Sequence, residues 1–221
     1  MILLSVRVRG REGEVMEHER EGWSALLLAG GRSLRMGRDK ALLPWRGQPL
    51  WEHQLSTLEA LGPRELLVSR GGQAPLEGMR FGLVEDRWPD AGPVGGIAGG
   101  LAAMRGRRLM VLAVDLPLVS ATFLRTLLKG DAGAVGIDER GRFEPLAAVY
   151  PHAALEVAEE RVGRGRCSLQ ELVGVLVERG LMHARVLSAA DRGLLRNVNS
   201  PADHASASEG LWEEAGHDDA F

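Results

Sequence analysis

Residues 28 to 40, LAGGRSLRMGRDK, combine glycines with an unusual number of cations. Gly30 and Gly31 follow a short apolar run, and glycine lets the backbone take φ > 0 and lets a ligand approach it closely. Consecutive backbone N–H groups in such a loop can form a concave anion site. Arg35 and Lys40 add charge-assisted hydrogen bonds, each worth roughly 1.5–3 kcal/mol. The loop therefore predicts a polyphosphate site, and the alternative is a flexible, solvated, arginine-rich turn.

The spacing of this loop excludes the two commonest phosphate-binding motifs. The P-loop requires GxxxxGK[ST], whereas Gly31 and Lys40 lie nine residues apart and alanine follows the lysine. The dinucleotide fingerprint GxGxxG is also missing from the sequence. A different class of nucleotide-binding protein is indicated.

Two further segments have the composition of a nucleotide site. Asp115 ends the apolar run RLMVLAVD, where a carboxylate is unfavourable unless it is solvated, paired or bound to a metal. Magnesium prefers one or two carboxylates together with phosphate oxygens and water. The alternative for Asp115 is a helix N-cap. The stretch GPVGGIAGG, residues 92–100, is a second glycine-dense segment, for which the alternative is tight packing of a helix on a strand.

The elements that position these residues alternate along the chain. Apolar runs predict strands, and helical spacing of apolar residues predicts helices. Strands are predicted at 24–29, 65–69, 79–86, 108–115 (the central one), 132–137, 143–150 and 183–188, and helices at 49–61, 95–106, 122–130, 154–163 and 168–180. Alternation predicts crossover units, so we expect a Rossmann-like, three-layer α/β/α fold with a mostly parallel central sheet. Ligands bind such sheets at the carboxyl ends of the strands, which these candidate loops follow.

Composition limits the function classes. The chain has 221 residues, 45% of them hydrophobic, and a net charge of −3, so nucleic acid is not expected as a partner. No apolar run approaches the roughly 18 residues of a membrane span, and the N-terminus does not resemble a secretory signal. Cys167 is the only cysteine, which excludes an internal disulfide. We expect a cytoplasmic protein with one domain over 23–204, a flexible extension over 1–22 and an acidic tail over 205–221.

The stretch LAGGRSLRMGRDKALL resembles the signature of the molybdenum cofactor guanylyltransferases and their nucleotidyltransferase relatives, which is roughly LAGGxSxRMGxDKxLL. The resemblance implies a nucleotide-diphospho-sugar-transferase-like fold whose first loop wraps a nucleoside triphosphate, with Arg35 and Lys40 on the phosphates. For Asp39 we expect the simpler role of holding the loop by pairing with a neighbour. The implied nucleotide contacts in this segment are Leu28, Ala29, Gly30, Gly31, Arg35 and Lys40.

Other segments match the same family. An Asp-x-Pro at the position of Asp115 holds the metal in the family, and GPVGG resembles its GPLAG loop, which implies that Gly92, Pro93 and Gly95 lie against the base. Asp86, at the end of the third predicted strand, is implied near the ribose or base. Ser69 stands where the guanylyltransferases usually have asparagine, so it can replace that contact only in part.

The resemblance also implies an acceptor site. FEPLAAVY resembles the strand that binds the acceptor and contains Pro145. Arg166 and Ser168 stand in a basic turn before a helix, where they can meet the acceptor phosphate; the alternative is a solvated turn with Ser168 as N-cap. RNVNSPAD resembles the family's NVNTP-x-D, with Asn197 near the acceptor and Asn199 near both the acceptor and the metal; the alternative is an Asx turn.

The implied reaction transfers GMP from GTP to the phosphate of molybdenum-molybdopterin and releases pyrophosphate. The implied catalytic residues are Arg35, Lys40 and Asp115, with Mg²⁺ as cofactor and transient contacts with cofactor-synthesis and molybdoenzyme-maturation proteins. Both glycine loops are of the guanine type. The alternatives are a molybdopterin cytidylyltransferase, a sugar-phosphate nucleotidyltransferase, and a non-catalytic nucleotide-binding accessory protein.

Overall fold

The structure is a computed structural model that describes residues 22–30, 39–71, 73, 76, 81–85 and 87–198. Within these residues a seven-stranded sheet and a two-stranded hairpin form. The strands are β1 (Trp23–Leu28), β2 (Pro44–Trp45), β3 (Gln48–Pro49), β4 (Leu66–Ser69), β5 (Gly82–Val84), β6 (Arg108–Ala113), β7 (Gly133–Ile137), β8 (Ala147–Pro151) and β9 (Met182–Val186).

The large sheet has the order β5-β4-β1-β6-β8-β7-β9. β1 pairs in parallel with β4 on one side and with β6 on the other, so later strands of the chain lie on both sides of β1. β8 runs antiparallel to both of its neighbours, and β7 and β9 are parallel. The sheet is thus mostly parallel, as expected, and the ends of β1, β4 and β6 lie at the edge where such sheets bind ligands.

Each helix follows a strand along the chain, except for one that follows another helix. They are α1 (Leu50–Glu59), α2 (Pro93–Ala103), α3 (Ala121–Leu127), α4 (Ala154–Gly163), α5 (Leu169–Glu178) and α6 (Ala189–Leu194), and a single 3₁₀ turn covers Lys40–Leu42. Ser120, Ser168 and Ser188 accept a hydrogen bond from a backbone N–H in the first turn of α3, α5 and α6, which explains where these helices begin.

The core lies on both faces of the sheet. β1 and β6 are buried along almost their whole length, as expected for central parallel strands covered by helices on both sides. α1 buries Leu50, Leu55 and Leu58, which recur at helical spacing. The helix then stops before Gly62, whose φ of +71° favours glycine.

Several predicted boundaries were wrong. Of the residues that are described, the strand predicted over 79–86 covers Gly82–Val84, and the one predicted over 143–150 begins at Ala147. The helix predicted from residue 95 begins at Pro93, because proline suits the first helical position. The hairpin β2–β3 and helix α6 were not predicted. The described residues contain no helix that is long and apolar enough to cross a membrane.

Candidate active site

The candidate site begins where β1 ends between its two neighbours. The Ala29 N–H donates to the Ser69 carbonyl at 2.9 Å, and the Val114 N–H donates to the Leu28 carbonyl at 3.0 Å. These bonds continue the parallel ladders past the ends of the strands. They therefore bring the start of the first glycine loop, the end of β4 and the approach to Asp115 to one edge of the sheet, which we call the carboxyl edge.

Gly30 packs directly on the backbone that follows β4. A Cβ at this position would lie 2.2 Å from the carbonyl carbon of Arg70 and 2.5 Å from the amide nitrogen of Gly71. Real Cβ atoms do not approach other atoms this closely, and backbone cannot swing aside as a flexible side chain can. Glycine is required here by close approach of two backbones.

Arg70 holds the two ends of the first loop together. Its guanidinium donates one hydrogen bond to the Ala29 carbonyl and another to the Asp39 carboxylate. Arg70 is only 4% exposed, so this charge is largely withdrawn from water and depends on these partners. Asp39 in turn accepts a bond from the Ala41 N–H at 3.0 Å and so caps the 3₁₀ turn. The predicted role of Asp39, pairing with a neighbour to hold the loop, is confirmed.

Lys40 and Asp115 act on each other electrostatically. Burial raises the pKa of the Asp115 carboxyl above its usual 3.8, whereas the nearby charge of Lys40 and a backbone hydrogen bond lower it; burial is the largest effect. A cation next to a carboxyl favours its charged form, which is the form that binds a metal ion. The structure therefore brings together two of the three predicted catalytic residues, and the third, Arg35, lies outside the described residues.

The chemistry of Asp115 fits a magnesium ion. Mg²⁺ takes oxygen ligands, typically one or two carboxylates plus substrate phosphates and water. Over the part of the chain that is described, no group of three or more His, Cys, Asp or Glu side chains could hold a metal ion. Mg²⁺ at Asp115 would therefore take most of its remaining ligands from the nucleotide and water. Asn199, the other predicted metal ligand, lies outside the described residues.

The second glycine-dense segment packs on the ends of two sheet strands, one of which leads into the first glycine loop. A Cβ on Gly96 would lie 2.9 Å from side-chain atoms of both Leu28 and Ser69, so the first turn of α2 packs on the ends of β1 and β4. The alternative of tight helix–strand packing is thus confirmed for the later glycines of this segment. Gly92 differs, because it is exposed, has φ +57° and leaves open space where a side chain would be.

The predicted nucleotide contacts differ in their access to a ligand. Gly30, Gly92 and Pro93 are exposed at this edge, whereas Leu28, Ala29, Ser69 and Gly95 are buried. Ser69 is 6% exposed and its hydroxyl lies beneath α2, so we expect its backbone rather than its side chain to shape the site. Gly31 and Asp86 lie outside the described residues.

The segment from 196 to 198 lies beside Asp115. The Val198 N–H donates to the Asp115 carbonyl at 2.9 Å, and Val198 is buried. Asn197 precedes it and is exposed. This hydrogen bond joins the start of the asparagine motif to the backbone of Asp115.

The segment that is predicted to bind the acceptor also reaches the carboxyl edge. The Ala113 N–H donates to the Leu146 carbonyl at 2.9 Å, which joins the start of β8 to the end of β6. Pro145 is buried, and its carbonyl accepts a hydrogen bond from the Tyr150 hydroxyl at 2.8 Å. The Pro145 carbonyl is thus already engaged, and we expect the residues beside it to present the surface of this segment.

The basic turn between α4 and α5 is tied to that segment by a glutamine. The Gln170 amide donates to the Phe143 carbonyl at 2.7 Å and accepts from the Phe143 N–H at 3.0 Å. Ser168 caps α5 by accepting from the Glu171 N–H at 3.4 Å, so the alternative of an N-cap is confirmed. Arg166 is exposed in this turn.

Three residues of the site were missed by the sequence reasoning. Arg70 and Gln54 are buried polar side chains. Arg70 donates to the ends of the first loop, and Gln54 donates to backbone carbonyls on both sides of Asp115. Glu144 carries a half-buried carboxyl whose pKa is raised by burial and by the charge of Asp138, and lowered by Arg142. The available signal was a polar residue within an apolar pattern, which holds for Gln54 in α1 and Glu144 in FEPLAAVY.

A family model and several curated relatives match most of this chain. The family model described as the MobA-like NTP transferase domain matches residues 25–178. A probable molybdenum cofactor guanylyltransferase of Opitutus terrae is 38% identical over 80% of this chain and 90% of its own length. A molybdenum cofactor guanylyltransferase of Pseudomonas putida is 35% identical over 80% and 93%.

Solved structures show the same fold. Molybdopterin-guanine dinucleotide biosynthesis protein A from Archaeoglobus fulgidus has a TM-score of 0.69 at 22% identity and covers 86% of this chain and 99% of its own. A 2-C-methyl-D-erythritol 4-phosphate cytidylyltransferase from Thermus thermophilus has a TM-score of 0.61 at 19% identity, covering 85% and 98%. With its matching sequence, sheet and glycine loops, the chain belongs to the MobA-like NTP transferase domain family.

Proposed function

We propose that this protein transfers GMP from GTP to the phosphate of molybdenum-molybdopterin, forming the guanine dinucleotide cofactor and releasing pyrophosphate. The observation that carries the proposal is the arrangement at the carboxyl edge. There the charge of Lys40 acts on the partly buried carboxyl of Asp115. The backbone hydrogen bond from Val114 to Leu28 joins this turn to the strand that leads into the exposed Gly30. The names of its relatives support guanine as the base and this cofactor as the product.

In the proposed reaction, an oxygen of the acceptor phosphate attacks the α-phosphorus of GTP. The bond from that phosphorus to the bridging oxygen breaks, and pyrophosphate leaves with the electron pair. Because the attacking group is already an anion, no protein nucleophile is needed, and catalysis consists mainly of alignment and charge stabilisation. The backbone amides of the first loop bind the phosphates, and Lys40 and Arg35 stabilise the charge that develops on pyrophosphate.

Mg²⁺, held by Asp115 and Asn199, would neutralise phosphate charge and orient the phosphates when bound. We expect the acceptor to lie against the segment that follows Phe143 and the N-terminus of α5, with Arg166, Ser168 and Asn197 near its phosphate. Transient contacts with proteins that supply or receive the pterin complete this proposal. The cytoplasmic location and the domain boundaries at residues 23 and 204 stay predictions.

The second candidate is a cytidylyltransferase activity, because the same fold is found in a cytidylyltransferase. The residues favour guanine. Gly30 and Gly92 leave the backbone exposed at both loops, which gives room for a purine and backbone donors and acceptors to read it. A thermal-shift comparison of GTP with CTP, each with Mg²⁺, separates the two activities. Stabilisation of the protein by CTP but not by GTP would overturn the assignment of guanine as the base.

Labelled GTP tests the transfer itself. With molybdenum-molybdopterin as acceptor, label from the α-phosphate should appear in the pterin product, and label from the γ-phosphate should appear in pyrophosphate. Binding of GTP with no label in the product would support a non-catalytic accessory protein instead. Transfer of label to a sugar phosphate, with none to the pterin, would support the sugar-phosphate alternative.

A further inference from the structure

Helix α1 holds the turn that bears Asp115, here called the Asp115 turn (residues 113–117). The Gln54 side-chain amide donates to the Ala113 carbonyl at 2.9 Å and to the Leu116 carbonyl at 2.9 Å. The neighbouring His53 Nε2 lies 3.1 Å from the Pro117 carbonyl. A carbonyl can only accept, so this nitrogen carries the proton. Three carbonyls that flank Asp115 on both sides are thus bound by two adjacent side chains.

Gln54 is an unusual residue for its position. It lies on the buried face of α1 between Leu50 and Leu58 and is 0% exposed. Its Oε1 is buried and has no hydrogen-bond partner in the structure. Burying an amide among apolar side chains is unfavourable unless its hydrogen bonds compensate. An apolar residue would pack here without that penalty, so the two donated bonds are the reason to place a glutamine.

The two carbonyls do not need Gln54 to be satisfied. The Ala113 carbonyl also accepts from the Leu116 N–H at 3.3 Å, and the Leu116 carbonyl also accepts from the Val119 N–H at 3.1 Å. The turn thus forms its own backbone bonds. What Gln54 adds is a fixed link between one rigid helix and both sides of Asp115. That link fixes the backbone position from which the Asp115 side chain extends.

We propose that Gln54 is a positioning residue that fixes the Asp115 turn so that its carboxylate remains at the metal-binding position. The inference rests on the proposed function, in which Asp115 holds Mg²⁺. Side chains that orient metal ligands typically contribute 10–100-fold to metal affinity. We therefore expect a similar contribution from Gln54, although it contacts neither the metal nor the nucleotide.

The test replaces Gln54 by methionine, which has a similar length but no N–H donor. Mn²⁺ serves as a paramagnetic substitute for Mg²⁺ and is titrated into the full chain, with and without GTP, and followed by water proton relaxation. Gln54→Met should weaken Mn²⁺ binding by 10–100-fold, and Asp115→Asn should weaken it further. The Mg²⁺ concentration for half-maximal activity should rise in parallel, with KM for GTP unchanged at saturating Mg²⁺.

Ser24→Ala is the matched control. Ser24 is buried at the opposite end of β1, where its hydroxyl donates to Glu65 at 2.7 Å and accepts from the Gly106 N–H at 3.0 Å. The substitution removes two buried hydrogen bonds far from Asp115, so it should lower stability without changing Mn²⁺ affinity. Equal weakening by Ser24→Ala would show that general destabilisation causes the effect and would overturn the positioning role.

The remaining outcomes separate this inference from the proposed function. If Asp115→Asn weakens Mn²⁺ binding and Gln54→Met leaves it at the wild-type value, the positioning role is wrong and the function stands. If Asp115→Asn itself leaves Mn²⁺ binding unchanged, the metal site and the function proposed from it fail together. Should Gln54→Met not fold, Gln54→Asn keeps a buried amide but is too short to reach both carbonyls, and the same weakening is expected.

Discussion

Gly30→Ala tests the close contact between the first loop and β4. The added Cβ would lie 2.2 Å from the Arg70 carbonyl carbon, 2.3 Å from its oxygen and 2.5 Å from the Gly71 nitrogen. Carbon atoms pack best at about 3.5 Å or more, so the loop must move by about 1.3 Å. Its neighbours here are backbone atoms at the end of a sheet strand, so we expect the loop, rather than β4, to move.

Two magnitudes follow from this displacement. Forcing an extra methyl group into a packed contact typically destabilises by 1–3 kcal/mol, and we expect about 2 kcal/mol here. A misplacement of about 1 Å in a site that aligns phosphates lowers the rate on the order of a hundredfold. The activity loss should therefore be much larger than the stability loss alone suggests, because a destabilisation of 2 kcal/mol still leaves the protein folded.

The assays are urea unfolding and pyrophosphate release at varied GTP concentrations. Gly174→Ala in α5 is the matched control, since the nearest atom to its added Cβ is a Phe143 ring carbon at 4.0 Å. There alanine should stabilise the helix by about 0.5–1 kcal/mol and leave kcat/KM unchanged. Wild-type stability and kcat/KM in Gly30→Ala would show that a Cβ fits at this contact, contrary to the distances above.

Three other substitutions test single interactions. Lys40→Ala should fold normally and lose about a hundredfold in turnover, as is typical for one charge-stabilising donor; unchanged pyrophosphate release would remove its role. Arg70→Met leaves the Asp39 carboxylate and the Ala29 carbonyl without this donor, so the free energy of unfolding in urea should fall by about 1–3 kcal/mol. Arg70→Lys should be intermediate because lysine lacks the planar fork. Equal stability of both variants and the wild type would contradict the role of the ion pair. Burial raises the pKa of Asp115, so just above pH 3.8 the folded protein holds this proton more tightly than the unfolded chain. The free energy of unfolding therefore falls as the pH rises from 3.8 through the raised pKa. Without metal, Asp115→Asn should therefore be more stable than wild type near pH 7 in urea unfolding, and the difference should vanish as the pH falls below 3.8. A variant that is less stable than wild type at pH 7 would show that burial of the carboxylate does not destabilise the fold.

Much of the fold could be predicted because long apolar runs and helical spacing are local signals. β1, β6 and α1 were placed within two residues, and the central position of β6 followed from its hydrophobicity. The direction of β8 could not be read in this way, because a buried strand has the same pattern whether it pairs parallel or antiparallel. The hairpin β2–β3 has two residues in each strand, which is too short to show any period.

The site shows the same division between local and non-local information. The glycines and cations of the first loop, Asp115 and the asparagine motif are readable because each lies directly after a strand or within a dense motif. Arg70 and Gln54 could not be assigned, because their partners lie 31 and 41 residues away for Arg70 and 59 and 62 residues away for Gln54. A sequence shows that a polar residue stands among apolar ones, but only the folded chain shows which carbonyl it meets.

We propose above all that the first glycine loop and Asp115 form one catalytic centre for guanylyl transfer to a pterin phosphate. The most direct measurement is the mass of the pterin product after incubation of the full chain with molybdopterin-loaded protein, Mg²⁺ and either GTP or CTP. We expect a product enlarged by one GMP unit with GTP, no product with CTP, and none from Asp115→Asn. An unchanged pterin mass with GTP, or a CMP adduct formed in preference, would contradict this proposal.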